Sequence, residues 1–356
     1  MQVQVLSIEN LRNIRAMQLQ PGTSVNLFYG ANGAGKTSII EALVVLAKGR
    51  SFRSGNISSL IGPESSAFTL HSQLRTADGT EHRIGLRREP QAWTGRVDGA
   101  DLKQLSDAAK YFPLVLVEPT SHLLISGGPE LRRRFLDWGV FHVKHEFLGT
   151  WRRYSRAVKQ RNAALRSGDV SLVKAIDPEL IRSGIAVHMA RVEVTETLFP
   201  RARSCIGALN AQLADLEIRY QSGWRTEELA EALEASLSKD LERGFTSVGP
   251  HRADIQLRLG QRVVRDRLSR GEQKLLATAL LLAQAEFLHG EEQAPVFLLD
   301  DLASEFDQQH LQVVTERALS LGAQLFVTGT EAKPYAFIDP SQCTMFHVKQ
   351  GQIEAP

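Results

Sequence analysis

Apolar and polar positions alternate with a period of two at the start of the chain. Val3-Gln4-Val5-Leu6-Ser7-Ile8 predicts a half-buried strand, and Met17-Gln18-Leu19 a second. Val25–Tyr29 is a short apolar run that predicts a buried strand. The period then changes to that of a helix over Ser38-Ile39-Ile40-Glu41-Ala42-Leu43-Val44-Val45-Leu46. Between Ala67 and Asp98 short alternating runs return, among them Phe68–His71 and His82–Leu86, with turn pairs at Asp78-Gly79 and Asp98-Gly99. These predict antiparallel sheet. Pro113–Val117 is apolar throughout and is expected at the centre of a sheet. After Glu118-Pro119 the pattern is helical almost without break from Gly128 to about Gly244. It opens on Gly127-Gly128-Pro129-Glu130, with proline where a first helical turn accepts it. Strands and helices then alternate: a strand at Asp254–Leu259, an apolar helix at Leu275–Leu288 and a strand at Pro295–Leu299. A helix at Gln308–Leu319 follows, with strands at Ala323–Thr330 and around Thr344–Val348. The order predicts an α/β fold interrupted by a helical insertion.

Composition adds limits. The 356 residues are 43% hydrophobic and 23% charged, the balance of a soluble globular protein. The formal net charge of +2 excludes a global basic field, so any nucleic-acid site must come from local clustering. Cys205 and Cys343 are far apart, match no metal spacing and suggest a reducing compartment. No basic segment followed by an apolar run opens the chain. The Leu275–Leu288 stretch is broken by Gln284 and Glu286 and is too short for a membrane span. A cytoplasmic protein without a membrane partner is expected.

The candidate chemistry starts at Gly30-Ala31-Asn32-Gly33-Ala34-Gly35-Lys36-Thr37, followed by Ser38. This fits the phosphate-binding loop G-x-x-x-x-G-K-[ST] at every fixed position, between a strand and a helix. Glycines let backbone N–H groups close on a phosphate at the positive end of the helix. Lys36 would reach the β- and γ-phosphates of a nucleotide, and the Thr37 hydroxyl would take a Mg²⁺ position. Arg12 and Asn13 stand where they could touch the base or the α-phosphate; a solvated loop arginine is the competing reading. Arg50-Ser51-Phe52-Arg53 offers a further phosphate contact.

Downstream, Ser269 and Glu272 form the pattern of a capping box at the start of the apolar helix, a start that can also bind phosphate. Asp300 and Asp301 end an apolar strand. One such carboxylate can hold Mg²⁺ beside a phosphate loop, and the other can orient or deprotonate an attacking water. Thr328 or Thr330 could sense the γ-phosphate or cap a turn.

The helical stretch carries Arg132, Arg133, Arg134, Lys144, Arg152, Arg153, Arg156, Lys159, Arg161 and Arg166, interleaved with Trp138, Phe141, Phe147, Trp151 and Tyr154. Only Asp137 and Glu146 oppose them between Leu131 and Gly168. That is the footprint of phosphate-backbone binding, and Arg132, Arg133, Arg134, Arg152 and Arg153 are the expected DNA contacts. A solvated helix face is the alternative. His142 and His145, three apart with no third ligand near, favour a reading without metal.

The motif order resembles the ABC-type ATPase head: phosphate loop, then Leu268-Ser269-Arg270-Gly271-Glu272, then Leu298-Leu299-Asp300-Asp301, then Ser304-Glu305-Phe306-Asp307. More closely it resembles the RecF family of bacterial recombination mediators. The stretches that carry this are Glu9–Ile14, Gly49–Arg53, Gly127-Gly128-Pro129 with Arg132–Asp137, and Gly249-Pro250-His251-Arg252. The resemblance implies a Rad50-like head with a mixed-sheet phosphate-loop core, an antiparallel β subdomain and an inserted, mainly helical lobe. The expected divisions are 1–118, 119–243 and 244–356.

It also implies that Ser269, Arg270 and Gly271 close in trans over ATP held by a second protomer. Asp300 would take Mg²⁺, Asp301 would be the general base, and Asp307 would belong to a loop across the dimer interface. An ATP-dependent homodimer on single-stranded, double-stranded and gapped DNA follows, released by weak hydrolysis. With RecO and RecR it would help load RecA in recombinational repair, replication restart and the SOS response. Some positions depart from the family pattern. Glu118 is the nearest polar residue to the expected loop glutamine, Thr120 stands where an acid is common, and Phe306 replaces leucine. The alternatives are the nucleotide-binding subunit of a transporter, a head of the long-armed cohesin or Rad50 type, and a non-catalytic ATP-gated scaffold.

Overall fold

The computed structural model describes residues 1–260, 262–291 and 294–354. The chain forms two compact units, Met1–Ser121 with Thr278–Pro356, and His122–Ala277.

The first unit begins with β1 (Gln2–Leu11), β2 (Ile14–Leu19), β3 (Val25–Tyr29), α1 (Lys36–Lys48), β4 (Phe68–Arg75), β5 (Glu81–Arg88), β6 (Trp93–Val97), β7 (Ala100–Asp101) and β8 (Leu114–Val117). The second holds α2 (Leu123–Ser126), α3 (Pro129–Val143), α4 (Phe147–Ser167), α5 (Val170–Leu209), β9 (Glu217–Gln221), α6 (Leu229–Arg243), β10 (Asp254–Leu259) and β11 (Arg262–Val263). The helix α7 (Arg270–Gly290) starts there. The chain ends in the first unit with β12 (Val296–Leu299), α8 (Gln308–Ser320), β13 (Leu325–Gly329), β14 (Cys343–Lys349) and β15 (Gln352–Glu354).

Two sheets make the first unit. One is antiparallel, in the order β2-β1-β4-β5-β6-β7; the other is ordered β15-β14-β3-β13-β12-β8 and is parallel except for β15. Side chains of both sheets share one core with α1, which is buried at every position from Ile39 to Ala47. A helix apolar on all sides is stable only when enclosed in this way. The strand expected at the sheet centre, β8, is instead an edge strand next to β12. Its apolar run reflects burial on both faces of a parallel strand, not a central place. In register, Leu299 of β12 lies between Val117 of β8 and Val327 of β13. The residues that follow these strands, and the loop after β3, therefore meet at one edge, the carboxyl end where ligands of parallel sheets bind.

In the second unit, β9 interrupts a region whose pattern is otherwise helical. It pairs with β10, which pairs with β11. This pairing draws residues 244–277, expected with the C-terminal half of the ATPase lobe, into the same unit as α3 to α6. Arg161, expected on a basic face, and Arg191 fasten the helices from inside. Arg161 is fully buried and donates to Asp177 at 2.7 Å, Asp240 at 2.8 Å and Thr246 at 3.1 Å. Arg191 donates to both oxygens of Asp137, at 2.7 and 2.9 Å, and to the Pro250 carbonyl at 2.7 Å.

His251 joins α4 to the segment after α6. Its Nε2 faces the Thr246 carbonyl at 3.0 Å and must carry the proton, so Nδ1 accepts from the Tyr154 hydroxyl at 2.6 Å. Burial, with the charges of Arg252 and Arg133, pushes this imidazole down to about 4, against the Thr246 bond. The unfolded chain takes up the proton near pH 6.5 and the folded one only at about 4. Stability from the neutral imidazole is complete above pH 6.5 and is lost as pH falls toward 4, at up to about 1.4 kcal/mol per pH unit. Thermal unfolding between pH 7 and 4.5 should show a steeper loss for the wild type than for His251→Gln; parallel curves would contradict this role.

Candidate functional site

The loop from Gly30 to Gly35 leaves β3 and turns into α1. Gly30 has φ +148°, and a Cβ there would lie 2.2 Å from the Val348 carbonyl oxygen. Gly35, at φ +114°, caps α1. The first N–H groups of α1 have no acceptor within the helix and surround an anion position. Lys36 is 8% exposed, and its ammonium donates to the Gly30 carbonyl at 2.7 Å and the Ala31 carbonyl at 2.9 Å. Burial holds its pKa below the usual lysine range, while the Asp301 and Asp300 charges act the other way. The loop thus holds a cation whose partners are neutral carbonyls.

At the ends of β12 and β13, Asp300 is 4% exposed, and its Oδ1 accepts from Thr37 Oγ1 at 3.0 Å and from Thr328 Oγ1 at 2.8 Å. Burial raises its pKa, and those two bonds oppose the rise. Asp301 takes the left-handed conformation, φ +53°. Its N–H donates to Thr328 Oγ1 at 2.9 Å, and its Oδ2 accepts from Ser304 at 2.9 Å. Thr328 is the shared joint between the two acids. Thr330 is exposed.

A cavity of about 500 Å³ opens over the loop, lined by Arg12, Asn13, Lys36, Thr37, Arg53, Asp301 and Thr328 among others. Arg12 is held by two bonds of 3.0 Å to Glu41, which is fully buried in α1 and also bonded by Ser51. Asn13 donates to the Gly33 carbonyl at 3.0 Å and accepts from Ser38 at 3.3 Å. Glu41 escaped the sequence reading; the available signal was one carboxylate on a helix otherwise wholly apolar. Glu118, just past β8, is pushed up to about 7 by burial, with the Asp300 charge adding, against a bond from Thr120 and the charges of Lys48 and Arg53.

The donor set suits a hard divalent cation. Thr37 and Asp300 offer oxygens 3.0 Å apart beside a phosphate position, and Mg²⁺ takes one or two protein oxygens with phosphate and water completing its shell. Among the described residues no group of three or more His, Cys, Asp or Glu could hold a metal ion.

Ser269, Arg270 and Gly271 are exposed at the first turn of α7. Ser269 donates to the Glu272 carboxylate at 2.7 Å through its hydroxyl and 2.8 Å through its N–H, and accepts from the Glu272 N–H at 3.3 Å. Asp307 is exposed and caps α8, accepting from the His310 N–H at 2.9 Å. Of the five arginines expected on DNA, Arg132 is corrected. It is 7% exposed, holds Asp254 with two bonds of 2.7 and 3.1 Å, and donates to the Leu124, Ile125 and Gly127 carbonyls. Arg133 is partly buried and donates to the Ala253 carbonyl; Arg134 is exposed and paired with Glu130. Arg152 is partly buried, and Arg153 is exposed with a 3.1 Å bond to Thr150.

The family described as RecF/RecN/SMC N terminal domain matches residues 2–354. A DNA replication and repair protein RecF of Stenotrophomonas maltophilia (strain R551-3) is 44% identical over the full length of both chains. The chain belongs to the RecF family. A RecF of Xanthomonas oryzae pv. oryzae (strain MAFF 311018) is 42% identical over 99% of this chain and 100% of its own, and one of Shewanella baltica (strain OS155) 40% over 98% of each. Among solved structures, the recombination mediator protein RecF with ATP superposes with a TM-score of 0.87 at 26% identity, covering 99% of this chain and 96% of that one. The Smc head domain of Pyrococcus furiosus reaches 0.60 at 14% identity, covering 99% and 95%, a likeness of fold. The architecture is therefore the α/β ATPase head shared by RecF and SMC proteins. Among the described residues no helix is long and apolar enough to cross a membrane.

Proposed function

We propose that this protein is an ATP-gated DNA-binding recombination mediator. The observation that carries the reading is the network Thr37–Asp300–Thr328–Asp301 at the mouth of the phosphate-loop cavity. It unites a phosphate cradle, a cation position and a second acid, the parts that phosphoryl transfer to water needs. Relatives at 40–44% identity bear the name DNA replication and repair protein RecF, and a similar structure is described with ATP.

Lys36 gives up its carbonyl partners to hold the β- and γ-phosphates, and the loop N–H groups hold their oxygens. Thr37 and Asp300 would hold Mg²⁺, whose charge would offset that of the phosphates. Asp301, fixed by Ser304 and Thr328, orients the attacking water and takes its proton. Arg12 and Asn13 border the nucleotide.

Ser269, Arg270 and Gly271 close in trans over ATP held by a second protomer, and Asp307 contributes at that interface. Two heads so joined hold single-stranded, double-stranded or gapped DNA, and slow, DNA-stimulated hydrolysis lets it go. Acting with RecR and RecO, the protein would support RecA loading in cytoplasmic repair, replication restart and the SOS response. Arg133, Arg134, Arg152 and Arg153 are the candidate phosphate contacts of the helical unit.

Ser269→Arg tests the trans arrangement. The variant should bind ATP with wild-type affinity yet stay monomeric in ATP by light scattering, because Ser269 is exposed and its side chain serves only the cap within its own chain. Normal ATP-dependent dimerisation would remove Ser269 from the interface.

A further inference from the structure

In the second unit a groove of about 1040 Å³ runs between the end of β9, the loop after it, α6 from Ala232 to Arg243 and the segment leading into β10. Three partly exposed rings line it: Tyr220, Trp224 and Phe245. His188 of α5 fixes two of them, stacked on Tyr220 with centroids 5.6 Å apart and meeting Trp224 edge-on at 4.7 Å. The loop carrying Trp224 is held close to its neighbour. Gly223 has φ +96°, and a Cβ there would lie 2.3 Å from the Gly249 carbonyl oxygen.

Four cations line the same groove: Arg225, Lys239, Arg243 and Arg252, all exposed. Among the described residues none of them has a carboxylate partner, and no carboxylate lines the groove. Glu227, Glu228, Glu231 and Glu242 are near in sequence but outside the lining. The contrast with α3 to α5 is physical. There Arg132, Arg161 and Arg191 are neutralised by Asp254, Asp177 with Asp240, and Asp137. Arg252 lies over the Phe245 ring at 5.1 Å, while Trp224 is partly exposed in the lining beside Arg225.

Unpaired cations around a fixed aromatic face suit a polyanion with flat apolar groups to stack. A duplex keeps its bases stacked inside and cannot use the rings, and an acidic peptide would use only the cations. We propose that this groove binds single-stranded nucleic acid without sequence preference, with a base on Trp224 and phosphates on Arg225, Lys239 and Arg243. The inference rests on the DNA-binding part of the function proposed above and adds a place in the second unit for the single strand.

The test is fluorescence anisotropy with the full chain, without nucleotide, on a labelled oligo-dT of about 12 nucleotides, an abasic strand of equal length and a blunt duplex. Trp224→Ala should weaken oligo-dT binding roughly 5- to 100-fold, leave the abasic strand unchanged, and be largely reversed by Trp224→Phe. Lys239→Ala with Arg243→Ala, both exposed, should lower the slope of log affinity against log salt by about 1.4. Unchanged oligo-dT affinity in both variants, or equal wild-type affinity for oligo-dT and the abasic strand, would overturn the assignment. So would a polyglutamate peptide that binds through these residues while oligo-dT does not, which would assign the groove to an acidic protein partner. If duplex binding survives while the single strand ignores the variants, only this inference fails. If the protein binds no DNA either without nucleotide or with ATP, the functional reading fails with it.

Discussion

Replacing Lys36 with methionine lowers ATP affinity by roughly 100-fold or more. The ammonium supplies two charge-assisted bonds, now made to the Gly30 and Ala31 carbonyls and redirected to phosphate oxygens on binding. Each such bond is worth about 1.5–3 kcal/mol once a charged acceptor replaces a neutral one. The loss is separable from misfolding. Burial works against the charged form in the free protein, and methionine of similar length removes the charge without opening a cavity. The melting temperature should therefore hold or rise while ATP binding, read by calorimetric titration, disappears. An unchanged ATP affinity would show that phosphate is held elsewhere.

Asp301→Asn gives the second large effect, a fall in hydrolysis of roughly 10²- to 10⁴-fold with ATP affinity retained. The substitution is narrow. Asparagine tolerates the left-handed conformation that Asp301 adopts, and the backbone bond to Thr328 does not depend on the side chain. What is lost is the capacity to take a proton. Single-turnover measurements should show ATP bound and uncleaved, with the dimer outliving its wild-type counterpart. Normal turnover would move the base role away from Asp301. Glu118 is then the acid to test, because it follows the strand beside β12 and titrates near neutrality.

The turn from Gly30 to Gly35 between β3 and α1, and the place of Asp300 and Asp301 at the end of β12, are legible in the sequence because they are set locally. A strand end, a turn and a helix start fix them within a few residues. The capping box of Ser269 and Glu272 forms as its spacing dictates for the same reason. The helical unit is less legible because its decisive partners are remote. Arg132 meets Asp254 across 122 positions, Arg161 meets Asp240 across 79, and Arg191 meets Asp137 across 54. No window of sequence shows that these arginines face inward, so a run of basic residues resembles a solvated surface until the opposing carboxylates are in place. The strand β9 is hidden likewise. Its five residues lie between helices, and only pairing with β10 makes them a strand. The role of Thr328 also depends on assembly, since it joins acids on one strand to a hydroxyl on the next.

The most direct test of the ATP-gated clamp is steady-state ATP hydrolysis by the full chain, across protein concentration, with and without gapped DNA. A slow rate that rises more than linearly with protein and is stimulated by DNA is the result expected of two heads sharing each nucleotide. A rate strictly proportional to protein and indifferent to DNA would contradict it.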